Sequence, residues 1–333
     1  MIKISIIIPC YNEAKTIHLL LDALSSQSIP SEEFEILIAD GMSTDGTRAV
    51  IDQYGRDHTG LTIRVLDNPA REIPSGLNVA LAHASGEYIV RLDAHSVPER
   101  DYLERSISNL NAGLGDNVGG LWLIHPGADT WIARSIAAAA SHPFGVGDAK
   151  YRYSSQAGAV DTVPFGAFRR DFLQQLGGYD ASLKTNEDYE LNTRIRAAGG
   201  TVYFDPAIRT IYYARPTLSA LWKQYWRYGF WKLQMLKRYP RSLRLRQLLP
   251  PLMVVSMFGL LILSPFIQIA QILLGLEIGL YLVIMIATAF LQAVRKKQYW
   301  LVIGLPLAIG TMHFAWGTGF LWSFSKSLLG HTQ

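Results

Sequence analysis

Three small groups of residues in this chain are of types that do chemistry. Asp93 and His95 stand one residue apart just beyond an apolar, β-branched run, Tyr88-Ile89-Val90; Glu187 and Asp188 are adjacent; Asp40 closes a second apolar run, 34–39. A carboxylate and an imidazole one residue apart can share a divalent cation. Adjacent carboxylates oppose each other's ionisation, which pushes one of them toward the range useful for a general base. Each group also has a plainer account. Taken alone, Asp93-Ala94-His95 fits a strand-end turn with a capping aspartate better than a metal site, and Asn186-Glu187-Asp188 fits the first turn of a helix, where carboxylates suit the macrodipole. No GxGxxG follows the first apolar run and no GxxxxGK[ST] occurs, which sets aside the usual dinucleotide and P-loop sites.

The elements that must position these groups follow from periodicity. The run 3–9 reads as a buried first strand, and Ile17, Leu20, Leu21 and Leu24 recur at helical spacing behind it. A second strand, 34–39, runs into the polar turn 41–47; 61–66 is a third; 74–84 is a helix that Gly86 breaks before the strand at Tyr88. Strand and helix alternating at this length predict parallel strands with helices on both faces, an α/β class, and ligands in such sheets sit outside the carboxyl ends of the strands. Beyond that the pattern is less regular. Strands are expected at 118–124 and 160–169, an alanine-rich helix at 130–141, and a helix at 187–198 that Gly199-Gly200 stops.

Charge divides the chain. Residues 1–222 carry 19 Lys+Arg against 26 Asp+Glu, a net −7, whereas 223–333 carry 12 against 1, a net +11. Residues 223–246 hold eight basic and no acidic side chains, interleaved with aromatic ones such as Tyr225, Trp226 and Trp231. Such a segment suits nucleic acid, an anionic membrane surface or a solvated helix face. Its position favours the membrane, because three apolar stretches follow, near 252–274, 278–294 and 300–322, close to the roughly 20 residues a bilayer demands. The expected organisation is a catalytic domain at 1–222, a basic aromatic interfacial segment at 223–247 and a membrane domain at 248–333 with about three transmembrane helices. The middle stretch is short, which leaves an interfacial or re-entrant pair open. Basic residues before the first stretch and Arg295-Lys296-Lys297 after the second put both on the cytoplasmic side. The run 4–8 is too short for a signal peptide. The lone cysteine, Cys10, excludes an internal disulfide and, lacking a partner base, reads as a small buried residue.

Taken together, Ile-Ile-Ile-Pro-Cys-Tyr-Asn-Glu (6–13), Ile-Ala-Asp-Gly-Met-Ser-Thr-Asp-Gly-Thr (38–47), Gly-Glu-Tyr-Ile-Val-Arg-Leu-Asp (86–93) and Asn186-Glu187-Asp188 resemble glycosyltransferase family 2, in its order and over most of 1–235. Asp93-Ala94-His95, the stretch 163–170, the continuation Tyr189-Glu190-Leu191-Asn192 and Gln224-Tyr225-Trp226-Arg227-Tyr228-Gly229 are most similar to the succinoglycan-type exopolysaccharide glucosyltransferases within it. The resemblance implies a GT-A fold, a Rossmann-like mixed sheet, and inverting transfer from a nucleotide-diphosphate sugar. It also implies roles. Pro9, Tyr11, Glu13 and Asp40 would cradle base and ribose, Arg71 would approach the nucleotide, and Asp93 would contact ribose and metal. His95 takes the place of the last carboxylate of an Asp-x-Asp motif, a departure that favours Mn²⁺ over Mg²⁺ because hard cations prefer oxygen. Inversion needs a base for the acceptor hydroxyl, and Asp188 is the expected one, with Glu187 as neighbour and fallback. Gln224, Arg227 and Tyr228 resemble the QxxRW motif of processive synthases on the acceptor or diphosphate side, with Tyr228 in place of Trp.

The expected activity is transfer of a sugar, glucose from a UDP-sugar, to a lipid-linked saccharide in exopolysaccharide or cell-surface glycan synthesis. Its expected setting is the cytoplasmic face of the inner membrane, with membrane lipids and no nucleic acid as further partners. Two alternatives stand beside it: a membrane-anchored sugar-nucleotide-binding assembly protein without catalysis, and a processive polysaccharide synthase, for which three spans are few. His83 and His125 read as structural or solvent-facing, and His142-Pro143 as a loop. His313, within an apolar stretch, is expected to pack, since nothing near it in sequence pairs with it.

Overall fold

The structure is a computed structural model that describes residues 2–329. The chain divides into two compact units, one formed by 1–123 with 149–212 and the other by 124–148 with 213 onward.

The first unit is built on the expected alternation. β1 (Ile4–Cys10) leads to α1 (Ile17–Ser25), β2 (Phe34–Asp40) to α2 (Thr47–Asp57), and β3 (Thr62–Asp67) to α3 (Ile73–Ala82). β4 (Tyr88–Arg91) returns beside β1, and the short β5 (Val97–Pro98) precedes α4 (Tyr102–Asn111). β1 pairs parallel with both β2 and β4, so the strand order reverses at β1, and the loops after β1 and β4 flank that switch point. Ile6 and Ile8 point to one face of the sheet, with α1 and Leu103 of α4; Ile7 points to the other, with Leu77 and Ala80 of α3. A strand alternates its side chains, so both faces being apolar is what makes 4–8 a continuous run.

β6 (Asn117–His125) stands where 118–124 predicts it, and α5 (Trp131–Ala140) follows, its N-terminus capped by Thr130 Oγ1, which accepts from the Ala133 N–H at 3.1 Å. α6 (Pro143–Val146) and β7 (Gly158–Ala159) lead to β8 (Ala167–Arg169), α7 (Arg170–Gln175) and α8 (Glu187–Ala197). β8 pairs antiparallel with β4, which makes the sheet mixed. The expected strand 160–169 forms only over its last three residues, because Pro164 and the positive φ of Phe165 and Gly166 turn the chain before it. Three strands have no counterpart in the periodicity reading: the two-residue β5 and β7, and the long β9 (Val202–Tyr213), whose buried Val202, Phe204, Ile208 and Thr210 alternate across Asp205-Pro206.

The second unit is helical among its described residues. α9 (Leu218–Arg238) holds the basic aromatic segment as far as 238, the rest running on into the next helix, and turns Leu221, Tyr225, Gly229, Lys232 and Met235 inward. α10 (Leu245–Leu263), α11 (Gln268–Lys296) and α12 (Leu301–Leu328) are long and apolar enough to cross a membrane. Their bounds correct the sequence reading. The stretch 252–274 is cut at Ser264-Pro265-Phe266, and 278–294 becomes part of a 29-residue helix, so the middle segment is the longest rather than the shortest. Proline lacks the amide that would continue the ladder of α10. α9 and α12 approach closely: a Cβ at Gly229 would lie 2.2 Å from the Trp316 carbonyl, and one at Gly319 would lie 2.2 Å from that of Trp226. Small residues at such crossings are how helices pack in a bilayer.

Candidate active site

The loops beyond β1 and β2 are tied to each other by polar contacts. The Asn12 N–H donates to Ser43 Oγ at 2.8 Å, the Thr44 N–H to Asn12 Oδ1 at 2.9 Å, and the Glu13 N–H to Thr47 Oγ1 at 2.8 Å. Asp40, fully buried, accepts from Ser43 Oγ and from Arg48 Nε, each at 2.5 Å, and Arg48 reaches on to Asp67 at 2.5 Å. Asp40 therefore fixes the loop that follows β2. Tyr11 is half exposed beside it, and its ring lies so near Gly41 that a Cβ there would come within 3.2 Å. Arg71 is exposed after β3 with φ +58°, and Pro9 sits inside β1. Cys10, buried at the end of β1, has its thiol pushed up to about 12 by burial and by the charges of Asp40, Glu13 and Asp45, so it is no nucleophile.

Glu13 and His95 meet. His95 Nδ1 and Glu13 Oε1 are 3.0 Å apart. Burial alone would raise the Glu13 carboxyl; the hydrogen bond and charge of His95, with Thr16, outweigh it and hold Glu13 below its ordinary value. The carboxylate acceptor assigns a proton to Nδ1, so in the neutral ring Nε2 carries the lone pair.

The rest of the site gathers on a residue that the motif reading passes over. Arg91 ends β4 with 2 % of its side chain exposed, and its guanidinium pairs with Asp93 (3.2 Å), Glu187 (2.9 Å) and Asp188. Phe165 and Tyr179 each place a ring centroid 5.9 Å from it. Burial opposes its charge, yet the attraction of Asp93 and Glu187 keeps the guanidinium above its ordinary value. Arg91 is thus a cation shared by the two adjacent carboxylates, a partner the sequence reading did not include. The signal was available: a charged residue in the otherwise apolar strand Tyr88-Ile89-Val90-Arg91-Leu92 has to find partners.

α8 brings Glu187 and Asp188 to Arg91 from its first turn, as its sequence position predicts. Asn186, at φ +71°, precedes the helix, and Asn192 anchors it one turn on, donating to Thr162 Oγ1 at 2.9 Å and to the Val163 carbonyl at 3.1 Å while accepting from Asn117 Nδ2 at 2.5 Å. Asp40, Glu13, Asp93, His95, Glu187 and Asp188 all belong to the first unit. Gln224, Arg227 and Tyr228 lie on α9 of the second, where Gln224 Nε2 donates to Tyr228 Oη at 3.0 Å. His313 does have partners: its Nε2 is 2.7 Å from the Phe144 carbonyl and its Nδ1 3.1 Å from Tyr281 Oη, both contributed by segments distant in sequence.

The sequence profile of Glycosyl transferase family 2 matches residues 5–177. The chain belongs to this family. As a member it acts on sugar-nucleotide donors. It is 28 % identical over 317 residues to the succinoglycan biosynthesis protein ExoA of Rhizobium meliloti, covering 95 % of this chain and 93 % of that one. It is 27 % identical, with 95 % of each chain covered, to a Methanococcus voltae enzyme named dolichyl N-acetyl-alpha-D-glucosaminyl phosphate 3-beta-D-2,3-diacetamido-2,3-dideoxy-beta-D-glucuronosyltransferase. Among solved structures, the mannosyltransferase PcManGT from Pyrobaculum calidifontis, in complex with GDP-Man and Mn²⁺, superposes with a TM-score of 0.65 at 21 % identity, covering 93 % of this chain and 87 % of that one. TarS 1–349 of S. aureus with UDP-GlcNAc gives a TM-score of 0.53 at 15 % identity, covering 99 % and 92 %. The fold is GT-A, carried together with three apolar helices able to span a membrane.

Proposed function

We propose that this family 2 glycosyltransferase transfers glucose from UDP-glucose, with inversion, to a lipid-linked saccharide at the cytoplasmic face of the inner membrane. The observation that carries the reading is the convergence of Asp93, Glu187 and Asp188 on Arg91 beside the switch point of the sheet. In one displacement the acceptor oxygen bonds to the anomeric carbon, the bond from that carbon to the diphosphate breaks, and the nucleoside diphosphate leaves with the electron pair. Asp188 takes the acceptor's proton. Tyr11 and the loop that buried Asp40 fixes hold the nucleotide end, and Arg71, exposed after β3, approaches the nucleotide.

The residues present suit a divalent cation shared with substrate. No three His, Cys, Asp or Glu side chains gather into a metal-holding group among the described residues, but Asp93 and His95 supply a carboxylate and an imidazole, and Glu13 orients the imidazole as carboxylates do behind metal-bound histidines. Asp93 and His95 would hold the ion and diphosphate oxygens would complete its shell; the imidazole favours Mn²⁺ over Mg²⁺. A cation there neutralises charge on the leaving diphosphate. ExoA and the M. voltae enzyme lend the exopolysaccharide and lipid-linked settings their support.

Asp188→Asn is expected to abolish transfer while leaving UDP binding within about twofold of the parent, since the base contributes about 10²- to 10⁴-fold. Turnover that survives the replacement removes Asp188 as the base. A melting screen against UDP-glucose, UDP-GlcNAc and GDP-mannose tests the donor, because a ligand at 100 times its Kd stabilises by about 2.7 kcal/mol. The largest shift is expected with UDP-glucose.

A further inference from the structure

We propose that Arg91 is a positioning residue for transfer, one guanidinium that aims the carboxylate of Asp188 through Nη1 while Nη2 ties it to Glu187 and to Asp93 on the donor side. The proposal rests on the reading of Asp188 as base. Nη2 is 2.9 Å from Glu187 Oε1 and 3.2 Å from Asp93 Oδ1, and Nη1 pairs with Asp188 Oδ1. The three carboxylates come from two places in the chain, the loop after β4 and the first turn of α8, roughly a hundred residues apart. Among the described residues, Arg91 is the side chain that contacts all three.

The geometry makes Arg91 more than a neutralising charge. A planar guanidinium offers two separately aimed amino groups, so holding Asp188 at one edge and Asp93 at the other fixes the spacing between base and donor; an ammonium is a single point charge and cannot do both. The backbone is equally constrained: the Arg91 N–H donates to the Gly166 carbonyl at 2.9 Å, and the Arg91 side chain is buried beside Phe165 and Tyr179. With its backbone and side chain both held, Arg91 transmits the position of β4 to the base.

The test measures UDP release from UDP-glucose by the full chain in detergent, with Mn²⁺, with and without a polyprenyl-diphosphate-linked sugar, for Arg91→Gln, Arg91→Lys, Asp188→Asn and the two double variants. Misplacing a reacting group by about 1 Å costs about 100-fold. Arg91→Gln is therefore expected to lower kcat by about 100-fold with donor KM within about threefold, and Arg91→Lys to recover only part of it. In the Asp188→Asn background, either Arg91 replacement is expected to cost no more than about threefold further, because groups that act as one unit are not additive. Multiplicative losses in the double variants overturn the proposal, as does full recovery by Arg91→Lys or a fall in kcat/KM that lies wholly in KM. Survival of turnover in Asp188→Asn alone overturns the base assignment instead. Melting curves identify any unfolded variant, and if Arg91→Gln is one, the charge-retaining Arg91→Lys series carries the same comparison.

Discussion

His95 faces Glu13 through Nδ1, and that hydrogen bond decides which ring nitrogen carries the lone pair. A carboxylate behind a ligating imidazole raises its basicity and fixes its orientation, and losing such a partner typically costs 10- to 100-fold in metal affinity. Glu13→Gln keeps the shape but removes the charge. It is expected to weaken UDP binding about tenfold or more in the presence of Mn²⁺ and to leave metal-free binding unchanged, which paired calorimetric titrations check. If Glu13 instead touches ribose or base directly, as the family resemblance implies, the metal-free titration weakens as well. At this scale the sequence was most legible where chemistry is carried by residue types in short motifs: Asp93, His95, Glu187 and Asp188 stand out by type and spacing. What it hid is pairing across long separations. Arg91 reaches Glu187 some 96 positions away, and His313 reaches Phe144 across 169, distances over which periodicity carries no information.

At the scale of elements, a buried carboxylate fastens the sheet beneath the site. Glu35, 3 % exposed on β2, accepts at Oε1 from Ser5 Oγ on β1 and from the N–H and Oγ of Ser85 ahead of β4, each at 2.7 Å. Gly86 follows, and a Cβ there would lie 2.7 Å from the Ile4 carbonyl carbon and the Ser5 nitrogen, so the chain enters β4 pressed against β1. Burial pushes the Glu35 carboxyl up, but the Ser85 and Ser5 bonds and Arg64 pull it below its ordinary value. A depressed carboxylate adds stability above its unfolded value and loses it as pH falls through the folded one. Glu35→Gln is expected to destabilise by about 2 kcal/mol at neutral pH. Its melting temperature should then decline less steeply than the parent's as pH drops from 6 toward 3. Parallel declines in thermal scans across that range would remove Glu35 as a source of the acid sensitivity. The parallel half of the sheet was legible because continuous apolar runs mark strands buried on both faces. β9 was not, because Asp205 and Pro206 interrupt its alternation, and the first apolar stretch was misjudged in length because a proline ends α10 inside it.

For the molecule as a whole, the chain passes from one unit to the other three times, at 123–124, 148–149 and 212–213. Charge then argues for orientation. Lys237, Arg238, Arg244 and Arg246 stand at or before the start of α10, and Arg295, Lys296 and Lys297 at the end of α11, while the turn between the two helices, Ser264-Pro265-Phe266-Ile267, carries none. Each basic residue beside an anionic leaflet contributes about 1 kcal/mol. α10 and α11 should therefore cross as a pair with both basic ends on the cytoplasmic side and the turn on the other. The chain suits a cysteine test, since its one cysteine, Cys10, is buried. Phe266→Cys, at a position 84 % exposed, and Gln298→Cys, just past α11, place single thiols at the two ends of the pair. In intact cells a membrane-impermeant maleimide is expected to label Phe266→Cys and to spare Gln298→Cys until the membrane is opened. Labelling of both, or of Gln298→Cys first, would reverse the orientation and with it the side on which donor sugar must be supplied.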